Sequence, residues 1–376
     1  GSDDQAIRVW DQFTGNELVH LQGHASYVQC VAISDQYVVS GSWDSTVRIW
    51  DVSRQSCKQN SNLPVPPHSK EVTCLTTFKT LVATASCDGS ICIWDASNGA
   101  LLHTLLGHSD QVNGLSFSST SDLASVSDDK SLRLWNSKSG QTLRSLKGHR
   151  KKVTCVDFES DIVVSGSYDK TICIWCAASG DKVRTLKGHT KPITCVALEL
   201  SQNLVASGSD DSTVWVWSLH TGQKRYQLLD NHGEIYCMGF ASGGKCLVTV
   251  AWDCVVCVWD TITGEQMHSM LGHSEDEDVS ELLVAENQQI FTRDTSGKVI
   301  GWDIETGLML PRLKQLKSGF HCLITSLAEE RRVPLPMAVG FTTDAEIITC
   351  HRLGDVIVVA DDAGSVHFLH LNQPQK

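Results

Sequence analysis

One ten-residue stretch recurs along the chain: GSYDKTICIW at 166–175 has near-copies in GSWDSTVRIW at 41–50, ASCDGSICIW at 85–94 and GSDDSTVWVW at 208–217. Each copy sets an Asp six residues before a Trp. The Trp series Trp10, Trp50, Trp94, Trp135, Trp175, Trp217, Trp259 and Trp302 advances in steps of 40 to 44 residues. His24, His68, His108, His149, His189, His232 and His273 keep the same beat. A period of this size means that one supersecondary unit is copied along the chain, and that no copy can bury its apolar surface alone. Each unit holds three β-type runs, as in VTCVDF (153–158), IVVSGS (162–167) and TICIW (171–175). A Gly-containing turn then leads to a fourth run, such as KVRTLK (182–187) or QKRYQLL (223–229).

Four short antiparallel strands make a sheet with two apolar faces, and a ring of such sheets packs each one between two neighbours. The fold expected is therefore all-β, a β-propeller. The pattern GH…SGSxDxTIxIWD at this period resembles the WD40 repeat over nearly the whole chain. That resemblance implies a buried hydrogen-bonded tetrad in each unit, formed by the His, a Ser or Thr of the second strand, the Asp and the Trp. By position the tetrads are His24/Ser40/Asp44/Trp50, His68/Thr84/Asp88/Trp94, His108/Ser125/Asp129/Trp135, His149/Ser165/Asp169/Trp175, His189/Ser207/Asp211/Trp217 and His232/Thr249/Asp253/Trp259. A seventh unit has His273, Thr292 and Trp302, but Ser296 where Asp is expected. A Ser, His and Asp set also suggests hydrolysis, yet catalysis needs one site with an exposed nucleophile and an oxyanion hole. Six repeated copies point to architecture, and neither an enzyme activity nor a cofactor is expected.

The remaining motifs add no chemistry. GFASGGKC (239–246) approaches the phosphate-cradling G-x-x-x-x-G-K-[ST], but it ends in Cys246 and falls between two strands with no helix behind it. A hairpin turn is expected there. Cys173/Cys176 and Cys254/Cys257 match C-x-x-C, but residues three apart on a strand point to opposite faces, so no metal or redox site is expected. The fifteen cysteines lie inside apolar β-runs such as VTCV and ICIW, which reads as reduced, buried thiols in an intracellular protein. A cytoplasmic location is expected, with the nucleus not excluded. The N-terminus shows no secretion signal, and no apolar run is long enough for a membrane span.

The chain begins and ends inside a unit. AIRVW (6–10) and ELVHLQ (17–22) match a third and a fourth strand, while EIITCHR (346–352), VIVVADD (356–362) and SVHFLHL (365–371) read as three more. A single propeller over 1–376 is expected, closed by N-terminal strands (about 1–22) joining C-terminal ones (about 346–371), with an irregular insertion at 311–344. Eight blades result; seven blades with a displaced terminal segment is the alternative. The start in mid-repeat suggests a piece of a longer protein.

Function is expected on one face of the ring, where the resemblance places partner contacts. The turn residues before each Asp and the loops after each His supply Tyr27, Trp43, Tyr168 and Trp252 as aromatic candidates, with Asp128, Asp210, Asp276 and Asp278 as acidic ones. A net charge of −12 repels nucleic acid and anionic membrane and favours a basic protein or peptide. The ending VVADDAGSVHFLHL (358–371) is similar to the closing repeat of apoptosome-scaffold or NACHT–WD40 signalling NTPases. That implies a sensor or autoinhibitory propeller facing other domains of the same chain. A ubiquitin-ligase substrate receptor and a free-standing scaffold are the alternatives.

Overall fold

The computed structural model describes residues 6–10, 17–34, 37–51, 56–57, 67–229, 233–252, 255–272, 279–284, 289–294, 299–309, 347–353, 356–361 and 366–370. Among these, every regular element is a β-strand, as the repeat requires. Five sheets of four antiparallel strands follow each other without interruption, each with its strands in chain order. The second sheet holds Val72–Phe78, Leu81–Ser86, Ile91–Asp95 and Ala100–Leu105, and the third holds Val112–Phe117, Asp122–Ser127, Ser131–Asn136 and Thr142–Lys147. The fourth is Val153–Glu159, Ile162–Ser167, Thr171–Cys176 and Lys182–Lys187. The fifth is Ile193–Glu199, Leu204–Ser209, Val214–Ser218 and Lys224–Leu228, and the sixth is Ile235–Ala241, Cys246–Ala251, Val256–Asp260 and Gln266–Met270.

The first sheet has Val28–Ser34, Tyr37–Ser42, Val47–Asp51 and the two-residue strand Ser56–Cys57. A seventh has three strands, Val279–Val284, Gln289–Asp294 and Val299–Asp303, plus a bridge from Trp302 to Met309. Ile347–Leu353, Val356–Asp361 and Val366–His370 form another three-stranded sheet, and Ala6–Trp10 pairs with Glu17–Gln22 in a sheet of two. The first strand of each sheet lies beside the first strand of the next, from Ile347–Leu353 against Val28–Ser34 round to Ile235–Ala241 against Val279–Val284. Ala6–Trp10 lies beside Val366–His370. This is a β-propeller with the first strands innermost. The insertion read at 311–344 lies outside the described residues.

Burial explains why these residues take these places. The second strands are buried end to end, as in YVVSGS (37–42) and CLVTVA (246–251), because each lies between two neighbouring sheets. Outer strands alternate, as in ALLHTL (100–105), because one face meets water. Apolar clusters form between sheets: Val126, Leu132 and Leu134 of the third pack with Val163, Cys173 and Trp175 of the fourth. The neighbouring sheet comes close enough that a Cβ on Gly166 would lie 2.5 Å from Ile193, and Cys155 of its own sheet would lie 2.6 Å away on the adjoining strand.

Two rows of hydrogen bonds tie successive sheets together, the inner row from the second sheet to the sixth and the outer row from the second to the seventh. On the inner strands Thr73 Oγ1 donates to Val112 O at 2.7 Å, Asn113 Nδ2 to Val153 O at 2.8 Å, Thr154 Oγ1 to Ile193 O at 2.7 Å and Thr194 Oγ1 to Ile235 O at 2.5 Å. At the outer rim His103 Nε2 donates to Lys138 O at 2.9 Å, Arg144 Nη2 to Ala178 O at 2.9 Å, Arg184 Nη2 to His220 O at 2.5 Å and His268 Nε2 to Glu305 O at 3.0 Å; Tyr226 OH donates to Ile262 O. Each acceptor sits in the turn before the next outer strand. Gly140 closes one such turn at φ +69°, with the His103 ring 2.7 Å from where its Cβ would be, so both conformation and space select glycine there.

Cys30, Cys74, Cys87, Cys92, Cys155, Cys173, Cys176, Cys195, Cys237, Cys246 and Cys257 are reduced thiols. Burial pushes Cys74, Cys92 and Cys155 up to about 12, so they stay neutral thiols. Cys173 is buried, whereas Cys176 Sγ points elsewhere and donates to Asp161 Oδ2 at 3.2 Å, so this C-x-x-C does not converge. Cys254 of the second such motif lies outside the described residues. A reducing agent is expected to leave the melting temperature unchanged. A large drop in a calorimetric scan under dithiothreitol would reveal disulfides and overturn the thiol reading. GFASGGKC spans the hairpin between Ile235–Ala241 and Cys246–Ala251, with Gly244 N–H donating to Ala241 O at 3.0 Å.

Candidate partner-binding face

Each tetrad is a relay that starts in the core and ends under the surface. In the first sheet Trp50 Nε1–H donates to Ser40 Oγ at 2.9 Å, and Ser40 lies 2.7 Å from His24 Nε2. His24 Nδ1 lies 2.9 Å from Asp44 Oδ2. A carboxylate only accepts, so Nδ1 carries the proton, Nε2 accepts from the hydroxyl, and every polar atom in the series is matched. The same series of contacts recurs in His108/Ser125/Asp129/Trp135, His149/Ser165/Asp169/Trp175 and His189/Ser207/Asp211/Trp217. Trp259 and Trp302 donate to Thr249 and Thr292 at 2.9 Å each, while His232, Asp253, His273 and Ser296 lie outside the described residues.

The second sheet corrects the expected pattern. His68 Nδ1 meets Ser90 Oγ at 2.7 Å rather than Asp88. The Asp88 carboxylate instead takes the Ser69 backbone N–H at 2.5 Å and the Ser69 hydroxyl at 2.9 Å, and Ser90 fills the gap. In all five units the serine or threonine oxygen is fully buried beneath the Trp, which leaves no room for a substrate. These Ser, His and Asp sets hold turns in place.

Electrostatics in the tetrads follows from burial and pairing. Burial pulls His24 and His108 down and takes His68 to about 4. At His149 burial acts the same way, but Asp169 and the nearby Cys173 sulfur overcome it and push the imidazole up to about 9. Burial alone would raise the aspartates. Hydrogen bonds from Ser131 and His108 hold Asp129 down at about 2, and Asp44, Asp88, Asp169 and Asp211 stay well below the usual carboxylate range for the same kind of reason.

The pinned Asp turn carries the residue before it onto the loop entering the inner strand. Trp43 N–H donates to Tyr27 O at 2.8 Å, Cys87 to Glu71 O at 2.9 Å, Asp128 to Gln111 O at 2.9 Å, Tyr168 to Lys152 O at 3.0 Å, Asp210 to Pro192 O at 3.1 Å and Trp252 to Glu234 O at 3.0 Å. Six sheets thus present the same pair of segments. Trp43 and Trp252 are each 50% exposed, and Tyr27 and Tyr168 are exposed as well. Tyr27 meets Trp43 edge-on at 5.2 Å, and Lys152 Nζ sits 4.2 Å from the centre of the Tyr168 ring. Asp128 is partly engaged, since its Oδ1 accepts from Asn113 Nδ2 at 2.6 Å. Asp276 and Asp278 lie outside the described residues.

One aromatic escaped the sequence reading. Tyr236 is exposed and lies tilted against Trp252, with ring centroids 5.6 Å apart. Its slot, second on the inner strand, holds Gln29, Thr73, Asn113, Thr154 and Thr194 in the first five sheets, and an aromatic after five polar residues was the available signal. The charge is sectored: the fourth sheet brings Arg150, Lys151, Lys152 and Lys170, and the fifth and sixth bring Asp210 and Glu234. Burial and the Glu234 charge push the Asp210 carboxyl up. Opposite this face, the turns and outer strands of the third and fourth sheets enclose a groove of about 490 Å³ that includes Asp122, Leu143, Arg144 and Asp161.

The family model of the WD domain, G-beta repeat, matches residues 15–51, 59–95, 99–136, 140–176, 180–218 and 223–260. The chain is similar to Mitochondrial division protein 1 of Schizosaccharomyces pombe, 43% identical over 51 residues, which is 14% of this chain and 8% of that protein. The homonymous protein of Aspergillus oryzae is 39% identical over 59 residues, 16% of this chain and 9% of that one. The crystal structure of the computationally designed Ika8 protein superposes with a TM-score of 0.75 at 29% identity, covering 95% of this chain and all of that one. No helix among the described residues is long and apolar enough to cross a membrane.

Proposed function

The chain belongs to the WD40 repeat family, and from that premise we propose that it is a non-catalytic interaction propeller whose partner docks on the face of the Asp turns. WD40 repeats imply a protein-interaction scaffold that binds proteins or peptides. The observation that carries the reading further is the sixfold pairing of Asp turn with entry loop, which gathers Trp43, Tyr168 and Trp252 on one face. Aromatic anchors with charge around them have the composition of a binding hot spot and its rim. Within this reading the partner is a basic protein segment, drawn by the net charge of −12.

The same reading makes the chain the sensing part of a larger intracellular signalling protein, with other domains of that chain among its contacts. It closes the ring as eight blades, Ala6–Trp10 and Glu17–Gln22 completing the C-terminal sheet beside which Ala6–Trp10 lies. The matches to Mitochondrial division protein 1 span about one repeat, so they carry the repeat and not that protein's role.

The test starts from a partner captured on tagged protein and identified by mass spectrometry. Truncating Trp43, Tyr168 or Trp252 to Ala is expected to weaken its binding by about 2 kcal/mol or more, with little change in stability. Added salt is expected to slow association more than it speeds dissociation. Kinetics indifferent to all three truncations would move the docking site to the rim or the opposite face.

A further inference from the structure

We propose that the junction of the fifth and sixth sheets on this face is a seat for one positively charged side chain of a partner peptide, framed by Trp252, Tyr236, Asp210 and Glu234. The proposal rests on the docking face described above and names a place and a chemistry within it.

Two adjacent sheets supply the parts. Thr194 Oγ1 donates to Ile235 O at 2.5 Å, and this bond draws the inner strand of the fifth sheet against that of the sixth. Asp210, ahead of its tetrad aspartate, is thereby brought beside the loop that carries Glu234. From the sixth sheet Trp252 N–H bonds to the backbone O of Glu234 at 3.0 Å, which ties the Asp turn to the entry loop that carries Glu234, and the Tyr236 ring lies tilted against the Trp252 indole at 5.6 Å. Trp252 remains 50% exposed. Exposed aromatic rings beside carboxylates are the combination that attracts a cation, through the ring quadrupole on one side and charge on the other.

The charge count favours an incoming cation over an anion. Asp210 and Glu234 share one neighbouring cation, Lys191, whose Nζ is 3.7 Å from Glu234 Oε1 with both side chains largely in water. One negative charge is left over, and the raised carboxyl of Asp210, caused by burial and then by Glu234, registers the same repulsion. A long exposed ion pair is weak and easily displaced. Lys191 therefore acts as a resident competitor for the seat. The basic cluster on the fourth sheet, Arg150, Lys151, Lys152 and Lys170, flanks the seat and would meet acidic residues of the same partner.

The test uses fluorescein-labelled tetra-arginine, tetra-lysine and tetra-glutamate peptides at low ionic strength, followed by fluorescence anisotropy. Tetra-arginine and tetra-lysine are expected to bind the unaltered chain. Trp252→Ala is expected to weaken them at least about tenfold, and the Asp210→Asn/Glu234→Gln double variant at least about fivefold. Lys191→Ala is expected to tighten them by about two- to fivefold, a gain that a merely structural residue would not give. Trp252→Phe, which keeps a ring, separates lost binding from lost folding by retaining most of the affinity.

Cationic peptides that bind equally to all variants would show a response to overall charge alone and overturn the seat. So would an absence of binding, or a preference for tetra-glutamate. The docking face is judged separately, by Trp43→Ala and Tyr168→Ala against the captured partner. A seat that fails while those truncations still act leaves the face standing.

Discussion

Trp175→Ala is expected to cost about 3–5 kcal/mol, the range for a large aromatic removed from a packed interior. Trp175 is only 2% exposed and belongs to the cluster that joins the third sheet to the fourth. Its loss opens a cavity between two sheets rather than inside one. It also leaves Ser165 Oγ without the indole donor at 2.9 Å, one step from His149. Trp175→Phe fills most of the space but lacks the N–H, and should cost about 1–2 kcal/mol. Because repeats are stabilised by their neighbours, the loss should be local. Hydrogen exchange resolved along the chain should show deprotection centred on the third and fourth sheets. Uniform protection with an unshifted denaturant midpoint would show that the indole does not bridge the sheets.

Acid is expected to destabilise the propeller in two stages. His68, completely buried and held at about 4, binds its proton more readily once unfolded, where its pKa is near 6.5. Its contribution is full above pH 6.5 and is lost as the pH falls toward 4, about 3 kcal/mol in all. His24 and His108, shifted in the same direction, add to the slope in that window. His149 does not oppose them there, because a raised group has its full effect below its unfolded value and loses it only as the pH climbs through about 9. The second stage belongs to the aspartates. Their stabilisation is complete above the ordinary carboxylate range and disappears as the pH falls through their lowered values, about 2 for Asp129. Urea midpoints at pH 6.5, 5.5 and 4.5 would measure the first stage, with His68→Gln as the control that makes it shallower. Midpoints that are flat between pH 6.5 and 4.5 would contradict it.

Most of what could be read in advance lies inside one repeat. The tetrads could be placed because the repeat resembles the WD40 pattern, which implies a role for each of Trp175, Ser165, His149 and Asp169, and all four lie within a single repeat. The ties between sheets could not. His103, Arg144, Arg184, Tyr226 and His268 occupy one structural slot with three kinds of side chain, and all of them bond to backbone carbonyls, which leave no trace in a sequence. The exchange of Asp88 for Ser90 was equally hidden. Ser69 has a hydroxyl that can take the carboxylate, but so has Ser109, beside which Asp129 keeps its histidine. Tyr236 was visible as an odd residue in a polar slot, though only the fold brings it to Trp252.

The outer row of bonds also bears on how such a chain can change over generations. A duplicated repeat arrives with a donor on its last strand and an acceptor in its own turn, so it can be spliced between existing copies without a new bond having to be invented. Lys138, Ala178, His220, Ile262 and Glu305 lend only their carbonyls to this hoop, which leaves their side chains free to drift. The ring keeps its tension while its rim is rewritten.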